Sequence, residues 1–283
     1  MEKGTLYICG TPIGNLEDIT IRQLNTLKLV DFIACEDTRH TLKLLNRYEI
    51  TKKLISFHEH NYLVKSEELI KLLSEGNNIA LVSDAGMPII SDPGQGIVKK
   101  CREQGIMVTT VPGPTALISA FILSGLESNG FVFAGFFPKE KKGQREQLEY
   151  LMQENKAVIY YEAPHRIRKT LALLEEGLGG EREASLVREI TKIHEEAITD
   201  KLSNLVRHYE NREPKGEFVL IISGVSQSSI VEKQQAEFAM LTIAEHVEMY
   251  TEKGMSSKDA MKLAAKDRGV SKREIYAVLN KDN

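Results

Sequence analysis

The chain has 283 residues, of which 42% are hydrophobic and 27% charged, and its formal net charge is −3. This is the composition of a globular protein with about two domains, and the charge balance excludes a globally basic nucleic-acid-binding protein, so any contact with nucleic acid needs local basic patches. No apolar run is long enough for a bilayer, so no membrane span is predicted. The three cysteines have no regular spacing, which predicts neither a disulfide framework nor a cysteine metal site. Together with the lack of a leader-like start, this predicts a cytoplasmic protein.

Residues 1–124 alternate short apolar runs with helical patterns. Strands are predicted at residues 5–9, 32–35, 54–57, 79–82 and 108–111. Helices are predicted between and after them, at residues 21–29, 38–48, 63–73, 94–104 and 115–123. This alternation is typical of an α/β domain built on a largely parallel sheet.

Residues 125–224 are predicted to form a second α/β domain. The predicted strands are residues 131–137, 157–161, 183–188, 195–200 and 218–223. Two helices are predicted, at residues 143–153 and 165–176. Because several strands here follow one another closely, we expect a mixed sheet.

The remaining residues predict a serine-rich linker at 223–234 and a small C-terminal helical domain at 235–283. Its helical patterns cover residues 236–253, 257–267 and 272–279. Ser257 and Ser271 are the predicted N-caps, and the glycine-containing turn between the last two helices resembles a helix-turn-helix. The basic side chains there outnumber the acidic ones, which indicates either a solvated face or a contact with nucleic acid: Lys258, Lys262, Lys266, Arg268, Lys272, Arg273 and Lys281.

Polar or glycine-rich loops follow all five predicted strands of the first domain: "CGTPIGN", "CEDTR", "SFHEHN", "SDAGMP" and "VPGPT". Ligands of open α/β sheets bind outside the carboxyl ends of the strands. We therefore expect the binding site at this edge. The alternative for any single loop is that its glycine and proline residues only form a tight turn.

The chemistry of these loops favours a ligand with a carboxylate, an amine, a ribose and an adenine over a polyphosphate. Neither G-x-G-x-x-G after the first strand nor a Walker sequence is present, and "GTPIGN" and "VPGPT" contain no lysine or arginine. Thr115 begins a helix whose free N–H groups suit a carboxylate. Ser83 and Asp84 are candidates to accept hydrogen bonds from an ammonium or a ribose hydroxyl.

Nine segments together resemble the successive motifs of the tetrapyrrole methylase superfamily and, within it, the ribosomal RNA small-subunit methyltransferase I family. In chain order they are "YICGTPIGNLEDIT", "CEDTRHTLKLL", "SFHEHN", "LVSDAGMPIISDPG", "VPGPTALISA", "GFFP", "YYEAPHRI", "VREITKIHEE" and "GEFVLII". The resemblance implies two α/β domains with the active site in the cleft between them and S-adenosyl-L-methionine as cofactor. It also implies 2′-O-methylation of a cytidine ribose in the decoding centre of 16S rRNA, with rRNA or the small ribosomal subunit as partner, and a homodimer.

The family's cofactor-binding positions carry over to three loops and to the second domain. They are Pro12, Ser83, Asp84, Met87, Ile90, Pro112, Thr115, Ala116 and Tyr161. Two residues depart from the family pattern. Met87 stands where a threonine is expected, which removes a hydroxyl, and His194 stands where an aromatic residue is common.

A neutral ribose hydroxyl is a poor nucleophile, so a base or a cationic neighbour should assist it. Glu36, Arg39 and His58 are the predicted catalytic residues, although an Asp37–Arg39 or Glu36–Arg39 pair could instead only shape the loop. Other candidates at the same sheet edge are Asp37, Glu59 and His60, and the second domain offers Glu162, His165 and Arg166. Residues predicted to hold RNA phosphate are Arg166, Arg168, Lys141, Lys142 and Arg145. Arg166 is expected to face the cleft. The alternative for Lys141, Lys142 and Arg145 is a solvated basic run.

Three functions stay open from the sequence. The first is an rRNA 2′-O-methyltransferase, favoured by the basic rim and the helical tail. The second is a methyltransferase acting on a porphyrin or corrin precursor, which arginines clustered inside the cleft would favour. The third is a helix-turn-helix regulator that senses a small ligand without turnover. Five loops that converge on one sheet edge are more typical of an active site than of such a regulator.

Overall fold

The structure, a computed structural model, describes residues 2–90, 95–225, 238 and 240–279. Some predicted features lie outside these residues: Asp92 in the fourth loop, most of the predicted linker, the start of the helix predicted from residue 236, and Lys281. The described part confirms two α/β domains and a C-terminal group of helices. No described helix is both long and apolar enough to cross a membrane.

The first domain is a parallel five-stranded sheet. Its strands lie in the order β3-β2-β4-β1-β5, and every neighbouring pair is parallel. The strands are β1 (Thr5–Cys9), β2 (Phe32–Cys35), β3 (Lys53–Ser56), β4 (Ile79–Leu81) and β5 (Met107–Val111). The helices are α1 (Ile21–Leu29), α2 (Thr38–Arg47), α3 (Tyr62–Ser74), α4 (Gln95–Glu103) and α5 (Ala116–Ser124), with a short 3-10 turn at Leu16–Asp18.

Apolar clusters cover both faces of this sheet, because successive strand side chains point to opposite sides. Leu6 and Ala34 belong to one cluster, and Cys9 and Ile33 belong to the other. A parallel sheet buried on both faces leaves its strand ends as the accessible backbone. The loops that follow the carboxyl ends of the five strands therefore meet at one edge, as predicted.

The second domain is the mixed sheet that the sequence predicted. Its strand order is β6-β7-β10-β8-β9; β6 and β7 are parallel and the other neighbouring pairs are antiparallel. The strands are β6 (Phe131–Phe136), β7 (Ala157–Glu162), β8 (Glu183–Arg188), β9 (Glu196–Lys201) and β10 (Phe218–Ile222). The helices are α6 (Lys141–Leu151), α7 (Pro164–Leu178) and α8 (Leu202–Glu210).

The C-terminal helices form a unit with its own small core. They are α9 (Ile243–Glu252), α10 (Ser257–Asp267) and α11 (Lys272–Leu279), and they bury Val247, Ala260, Ala264, Ala265 and Ile275 together. The predicted N-cap Ser257 is wrong by one residue: Ser256 Oγ accepts the N–H of Asp259 at 3.2 Å. The Ser271 cap is confirmed, since its Oγ accepts the N–H of Glu274 at 3.3 Å.

Arg268 differs from the other basic residues of this unit. Its Nε donates to Nδ1 of the buried His246 at 3.0 Å, and its Nη2 donates to the carbonyls of Leu241 and Thr242. Arg268 therefore holds the helical unit together. By contrast, Lys258, Lys262 and Lys266 are exposed at intervals of one helical turn along α10, which places them on one face.

The three cysteines should be unreactive in the folded protein. All are fully buried, and burial raises the pKa of the Cys9 thiol to about 12, that of Cys101 to about 11, and that of Cys35 above its usual value. Because the thiolate is the nucleophile, we expect a thiol reagent at pH 8 to label none of them in native protein and all three in urea. Rapid labelling of native protein would contradict this packing.

Candidate active site

A cleft of about 440 Å³ lies between the two α/β domains, within the size range of small-molecule and cofactor sites. The first domain contributes loops after β1 and β4 and the start of α5. The second contributes the carboxyl ends of β6, β7 and β8 and the start of β10. Residues lining the cleft from the first domain are Ile13, Ala85, Gly86, Met87, Ile90, Thr115, Ala116 and Leu117. Those from the second domain are Phe136, Tyr161, Glu162, Ala163, Pro164, Val187, Ile190, Glu217, Phe218 and Val219.

The loops after β1 and β4 are joined backbone to backbone. The N–H of Thr11 donates to the carbonyl of Gly86 at 2.9 Å, and the N–H of Gly86 donates to that of Thr11 at 3.1 Å. Gly86 has φ +79, and a Cβ there would lie 3.2 Å from Cγ2 of Ile13. Glycine thus supplies the left-handed conformation and the close approach that set this wall of the cleft.

The loop after β5 packs against the same pair. An added Cβ at Gly10 would lie 2.8 Å from Sδ of Met87 and 3.0 Å from Cα of Gly113. The buried amide of Gln23 donates to the carbonyl of Gly10 at 2.7 Å. The three loops therefore form one rigid wall, and Met87 packs where Gly10 leaves room.

The start of α5 presents unpaired donors at this wall. Thr115 is the N-cap residue, as predicted, but its side chain makes no capping hydrogen bond. Thr115 and Ala116 both line the cleft. The first-turn N–H groups of a helix lack intrahelical partners and favour an anion, so this helix start suits a carboxylate.

Lys192 connects the second domain to the loop after β1. Its Nζ lies 2.9 Å from Oε1 of Glu189 and 3.0 Å from Oε2 of Glu217, and a Cβ added to Gly14 would meet its side chain at 2.6 Å. The aliphatic part of the Lys192 side chain thus packs against Gly14 of the first domain, while its ammonium group pairs with Glu189 and Glu217 of the second domain. This contact fixes one margin of the cleft.

Residues 5–206 match the family of tetrapyrrole (corrin/porphyrin) methylases. The chain belongs to this family. It is 46% identical to "Ribosomal RNA small subunit methyltransferase I" of Bacillus subtilis, over 97% of this chain and 94% of that protein. The protein of the same name from Thermotoga maritima is 48% identical over 78% of this chain and 99% of its own length.

The fold agrees with solved structures of the family. The uroporphyrin-III C-methyltransferase of Thermus thermophilus superposes with a TM-score of 0.55 at 19% identity, over 78% of this chain and 94% of that one. The methyltransferase CobJ superposes with a TM-score of 0.59 at 16% identity, over 78% and 95%. The activity follows from the family and the named relatives: the chain is a methyltransferase, and its methyl donor is S-adenosylmethionine.

The cleft of this methylase fits such a donor. The donor carries a carboxylate, which suits the uncapped start of α5, and an adenine, which suits the apolar side chains of Leu117, Val187 and Val219. The lining contains no lysine or arginine among the residues that the structure describes there. This agrees with the expectation of a ligand without a polyphosphate.

The nine predicted cofactor residues of the methylase separate into two groups and one residue that belongs to neither. Met87, Ile90, Thr115, Ala116 and Tyr161 line the cleft together. Pro12, Ser83 and Asp84 instead line a second, smaller cavity behind the same loops, and Pro112 is exposed and lines neither cavity.

Ser83 and Asp84 both have partners inside the protein. Ser83 is 3% exposed, and its Oγ donates to the carbonyl of Gly86 at 3.0 Å, which holds the loop in shape. Asp84 Oδ1 accepts the N–H of Asp37 at 3.2 Å. Both residues line the smaller cavity and neither lines the cleft, so a direct contact with the donor stays a prediction for them.

The predicted catalytic residues lie at the rim and none lines the cleft. Asp37, rather than Glu36, is the partner of Arg39, with Nη2 and Oδ2 3.0 Å apart; the hydrogen bonds from Arg39 lower the pKa of Asp37 to about 2. Burial and the neighbouring charge of Asp84 raise the pKa of Glu36. His58 Nε2 lies 3.2 Å from Nδ2 of Asn61, and its buried Nδ1 has no hydrogen-bond partner among the described residues.

The prediction that Arg166 faces the cleft to hold phosphate is not supported by its contacts. Its Nη2 donates to the carbonyls of Phe137 and Pro138 at 2.6 and 3.2 Å, and its Nε lies 3.4 Å from Oε1 of the buried Glu162. The guanidinium is thus used within the second domain. Arg168 is exposed and donates to the carbonyl of Arg212 at 2.7 Å.

The basic residues of α6 are accessible. Lys141, Lys142 and Arg145 are exposed, and Lys142 lies 3.9 Å from Glu146 in a solvated pair. Lys141 and Arg145 are one turn apart and share a face. These side chains can meet a phosphate without breaking a buried contact.

Sequence reasoning did not single out Ile13, Phe136, Glu217 and Val219 as site residues, although the structure places all four on the cleft. Each belongs to a quoted family segment, "CGTPIGN", "GFFP" or "GEFVLII". Their position beside a strand end was the available signal. For Glu217 and Val219, at the start of β10, the antiparallel pairing of that strand hid the signal, because the edge facing the cleft was not readable from the chain direction.

Proposed function

We propose that this methylase transfers the methyl group of S-adenosylmethionine to the 2′-hydroxyl of a cytidine ribose in the decoding centre of 16S rRNA, as free rRNA or in the small ribosomal subunit. The observation that carries the proposal is the 46% identity, over nearly the whole chain, to a protein named as a ribosomal RNA small-subunit methyltransferase. The family motifs in this sequence support the choice of cytidine 2′-oxygen. A ribosomal substrate would place the enzyme in the cytoplasm.

In this proposal the donor occupies the cleft between the domains. The first turn of α5, at Thr115 and Ala116, holds the donor carboxylate, and Met87, Ile90 and Tyr161 form the surrounding walls. When bound, the donor supplies an electrophilic methyl group. The protein contributes chiefly by positioning the acceptor oxygen in line with that methyl, since a well-oriented pair reacts far faster than free reactants.

The acceptor hydroxyl needs a group to take its proton as the new bond forms. We propose Glu36 for this role, because its raised pKa brings a carboxylate closer to the pH at which a base is most effective. His58 is the alternative base at the same sheet edge. Arg39 is the third predicted catalytic residue; its exposed guanidinium, paired with Asp37, could approach the RNA backbone.

The cleft chemistry does not favour a tetrapyrrole precursor as acceptor. Such precursors carry many carboxylates, and a site for them should present clustered arginines. Among the described residues that line the cleft, the charged ones are Glu162 and Glu217, both acidic. The non-enzymatic regulator is not retained either, because the chain belongs to a methyltransferase family.

The direct test gives the protein labelled S-adenosylmethionine and one of three acceptors: 16S rRNA, small ribosomal subunits or a uroporphyrin-type precursor. We expect label on RNA, in a nucleotide that becomes resistant to alkaline cleavage at its 3′ side because its 2′-oxygen is methylated. Label on a base would overturn the 2′-O assignment. Label only on the tetrapyrrole would overturn the RNA assignment.

The lysine face of α10 should contribute to RNA affinity through phosphate contacts. Replacing Lys258, Lys262 and Lys266 by alanine should lower the slope of log K against log salt for RNA binding by about two to three units, if each lysine neutralises one phosphate. Donor affinity should not change. The control replaces Lys71 and Lys99, which are also exposed and lie in the first domain; an equal loss per lysine in this control would refute a specific role for α10.

The homodimer implied by the family resemblance stays a prediction. Ile118, Ile122 and Leu123 are 40%, 73% and 46% exposed on α5, and contiguous exposed apolar side chains mark protein–protein contact sites. Sedimentation equilibrium measures the state directly. An Ile122→Glu variant that sediments like the original protein would exclude this face from a dimer interface.

A further inference from the structure

The second cavity of the first domain, about 210 Å³ in volume, is lined by residues that do not line the cleft between the domains. It opens at the carboxyl edge of the parallel sheet, between the loops after β1 and β4 and helix α2. Its walls include Pro12, Leu16, His40, Lys43, Leu44 and Asp84. We call it the α2 cavity.

The α2 cavity and the donor cleft lie on opposite sides of one thin wall. Pro12 lines the α2 cavity and Ile13 lines the cleft; Asp84 lines the α2 cavity and Ala85 lines the cleft. Consecutive Cα atoms are about 3.8 Å apart, and the Thr11–Gly86 hydrogen bonds hold the wall together. A group seated in the α2 cavity is therefore anchored one residue away from the donor site.

The chemistry of the α2 cavity suits a nucleobase. Pro12, Leu16 and Leu44 supply apolar surface for the faces of a flat ring. The Asp84 carboxylate is held in place by the N–H of Asp37 on Oδ1, while Oδ2 has no hydrogen-bond partner among the described residues. A fixed carboxylate oxygen accepts from an exocyclic amino group, as Asp and Glu do with N4 of cytosine.

The mouth of the α2 cavity carries one cation, Lys43, and one imidazole, His40, both able to reach a phosphate. His40 and Lys43 are exposed on α2, and within the described part of the chain neither forms a salt bridge. A phosphate next to the seated base would gain a charge-assisted contact there. The cavity thus combines apolar walls, a fixed acceptor and a cationic rim.

We propose that the α2 cavity holds the base of the acceptor nucleotide, that Asp84 selects a base with an exocyclic amino group, and that Lys43 holds a flanking phosphate. The ribose then lies at the rim, where its 2′-oxygen reaches over Pro12 towards the donor cleft. This inference rests on the proposed function, because it assumes an RNA acceptor. It assigns Asp84 to acceptor selection and removes it from donor binding.

The test compares Asp84→Asn with the original full-length protein on two RNAs, once the methylated nucleotide has been located by label. The RNAs differ only at that nucleotide, cytidine or uridine. The original protein should prefer cytidine by about tenfold or more in single-turnover kcat/KM, since a good base-specific contact has that effect. In Asp84→Asn the preference should fall to about threefold or less, because an amide can also donate to the uridine carbonyl, with donor affinity by calorimetry unchanged.

The matched control is Asp31→Asn. Asp31 Oδ2 also accepts a backbone N–H, that of Asn78 at 2.7 Å, but Asp31 lies immediately before β2, at the opposite edge of the sheet. This variant should keep both the cytidine preference and the donor affinity. A loss of preference in the control equal to that in Asp84→Asn would overturn the assignment.

A second variant tests the rim. Lys43→Ala should raise the KM for RNA about tenfold with kcat and donor affinity kept, whereas Lys99→Ala should change none of them. The inference is overturned if Asp84→Asn keeps the full cytidine preference, if it loses donor affinity, or if Lys43→Ala leaves the KM unchanged. If the original protein methylates no RNA, the proposed function fails together with the inference; if it does and Asp84→Asn behaves like it, only the inference fails.

Discussion

Replacing Glu162 by alanine should destabilise the methylase by about 3–5 kcal/mol, the cost of removing one partner of a buried ion pair. The Glu162 side chain is fully buried and the Arg166 side chain is 17% exposed. The carboxylate accepts from Thr170 Oγ1 at 2.6 Å and from the N–H of Ala163 at 2.8 Å, besides its pairing with Arg166. Alanine would leave all three donors unpaired in the interior.

Urea unfolding followed by circular dichroism measures this loss. The matched control is Glu196→Ala, which removes a carboxylate 3.2 Å from Arg188 in a pair that solvent reaches, with side chains 37% and 25% exposed. An exposed pair contributes at most about 1 kcal/mol, so the two variants should differ clearly. Equal losses would show that the Glu162 network does not hold the second domain together.

The hydrogen bonds and ion pair of Glu162 also shape the cleft. Glu162, Ala163 and Pro164 line the cleft, and the carboxylate fixes the turn into α7 through the Ala163 N–H. Arg166→Ala should therefore lower stability too, since it leaves Glu162 without its cation. Its effect on RNA binding should be small, contrary to what the sequence alone predicted for Arg166.

Replacing Gly86 by alanine should weaken the binding of S-adenosylmethionine about tenfold or more, equivalent to about 1.4 kcal/mol. An L-residue at φ +79 costs roughly 1–2 kcal/mol, and the new Cβ would lie 3.2 Å from Ile13 Cγ2 and 3.4 Å from the carbonyl of Pro114. The least strained response is a shift of the loop after β4. That shift moves the wall against which the proposed donor lies.

Gly105→Ala is the control that separates the effect of backbone strain on stability from the effect of a displaced cleft wall on donor affinity. Gly105 also has a positive φ, +64, but nothing lies within 4 Å of an added Cβ, and it precedes β5 at the opposite edge of the sheet. Both variants should lose stability in urea, whereas only Gly86→Ala should lose donor affinity by calorimetry. Unchanged affinity in Gly86→Ala would contradict the placement of the donor against this loop.

Element positions in the first domain were predictable because its patterns are local. Each buried strand is a short apolar run, and helices such as α2 have a periodic apolar face, so the boundaries of β1, β2 and α1 agree with the prediction. In the second domain α8 was not predicted. Its buried residues Leu202, Leu205 and Tyr209 have helical spacing, but the nine-residue segment lies directly after a strand and gives few turns from which to recognise a period.

What the sequence by itself determined is the α/β class of both domains, the edge of the first sheet that carries the ligand loops, and, through the family motifs, a methyltransferase. What only the tertiary structure decided is the direction of individual loop side chains: that Ile13 and Ala85 face the donor cleft while Pro12 and Asp84 face the α2 cavity, and that Arg166 pairs inside the second domain. The physical reason is the range of the contacts involved. Strand and helix patterns arise from neighbours along the chain, whereas the loop orientations depend on hydrogen bonds such as that from Thr11 Oγ1 to the Ser83 carbonyl at 3.1 Å, between residues 72 positions apart.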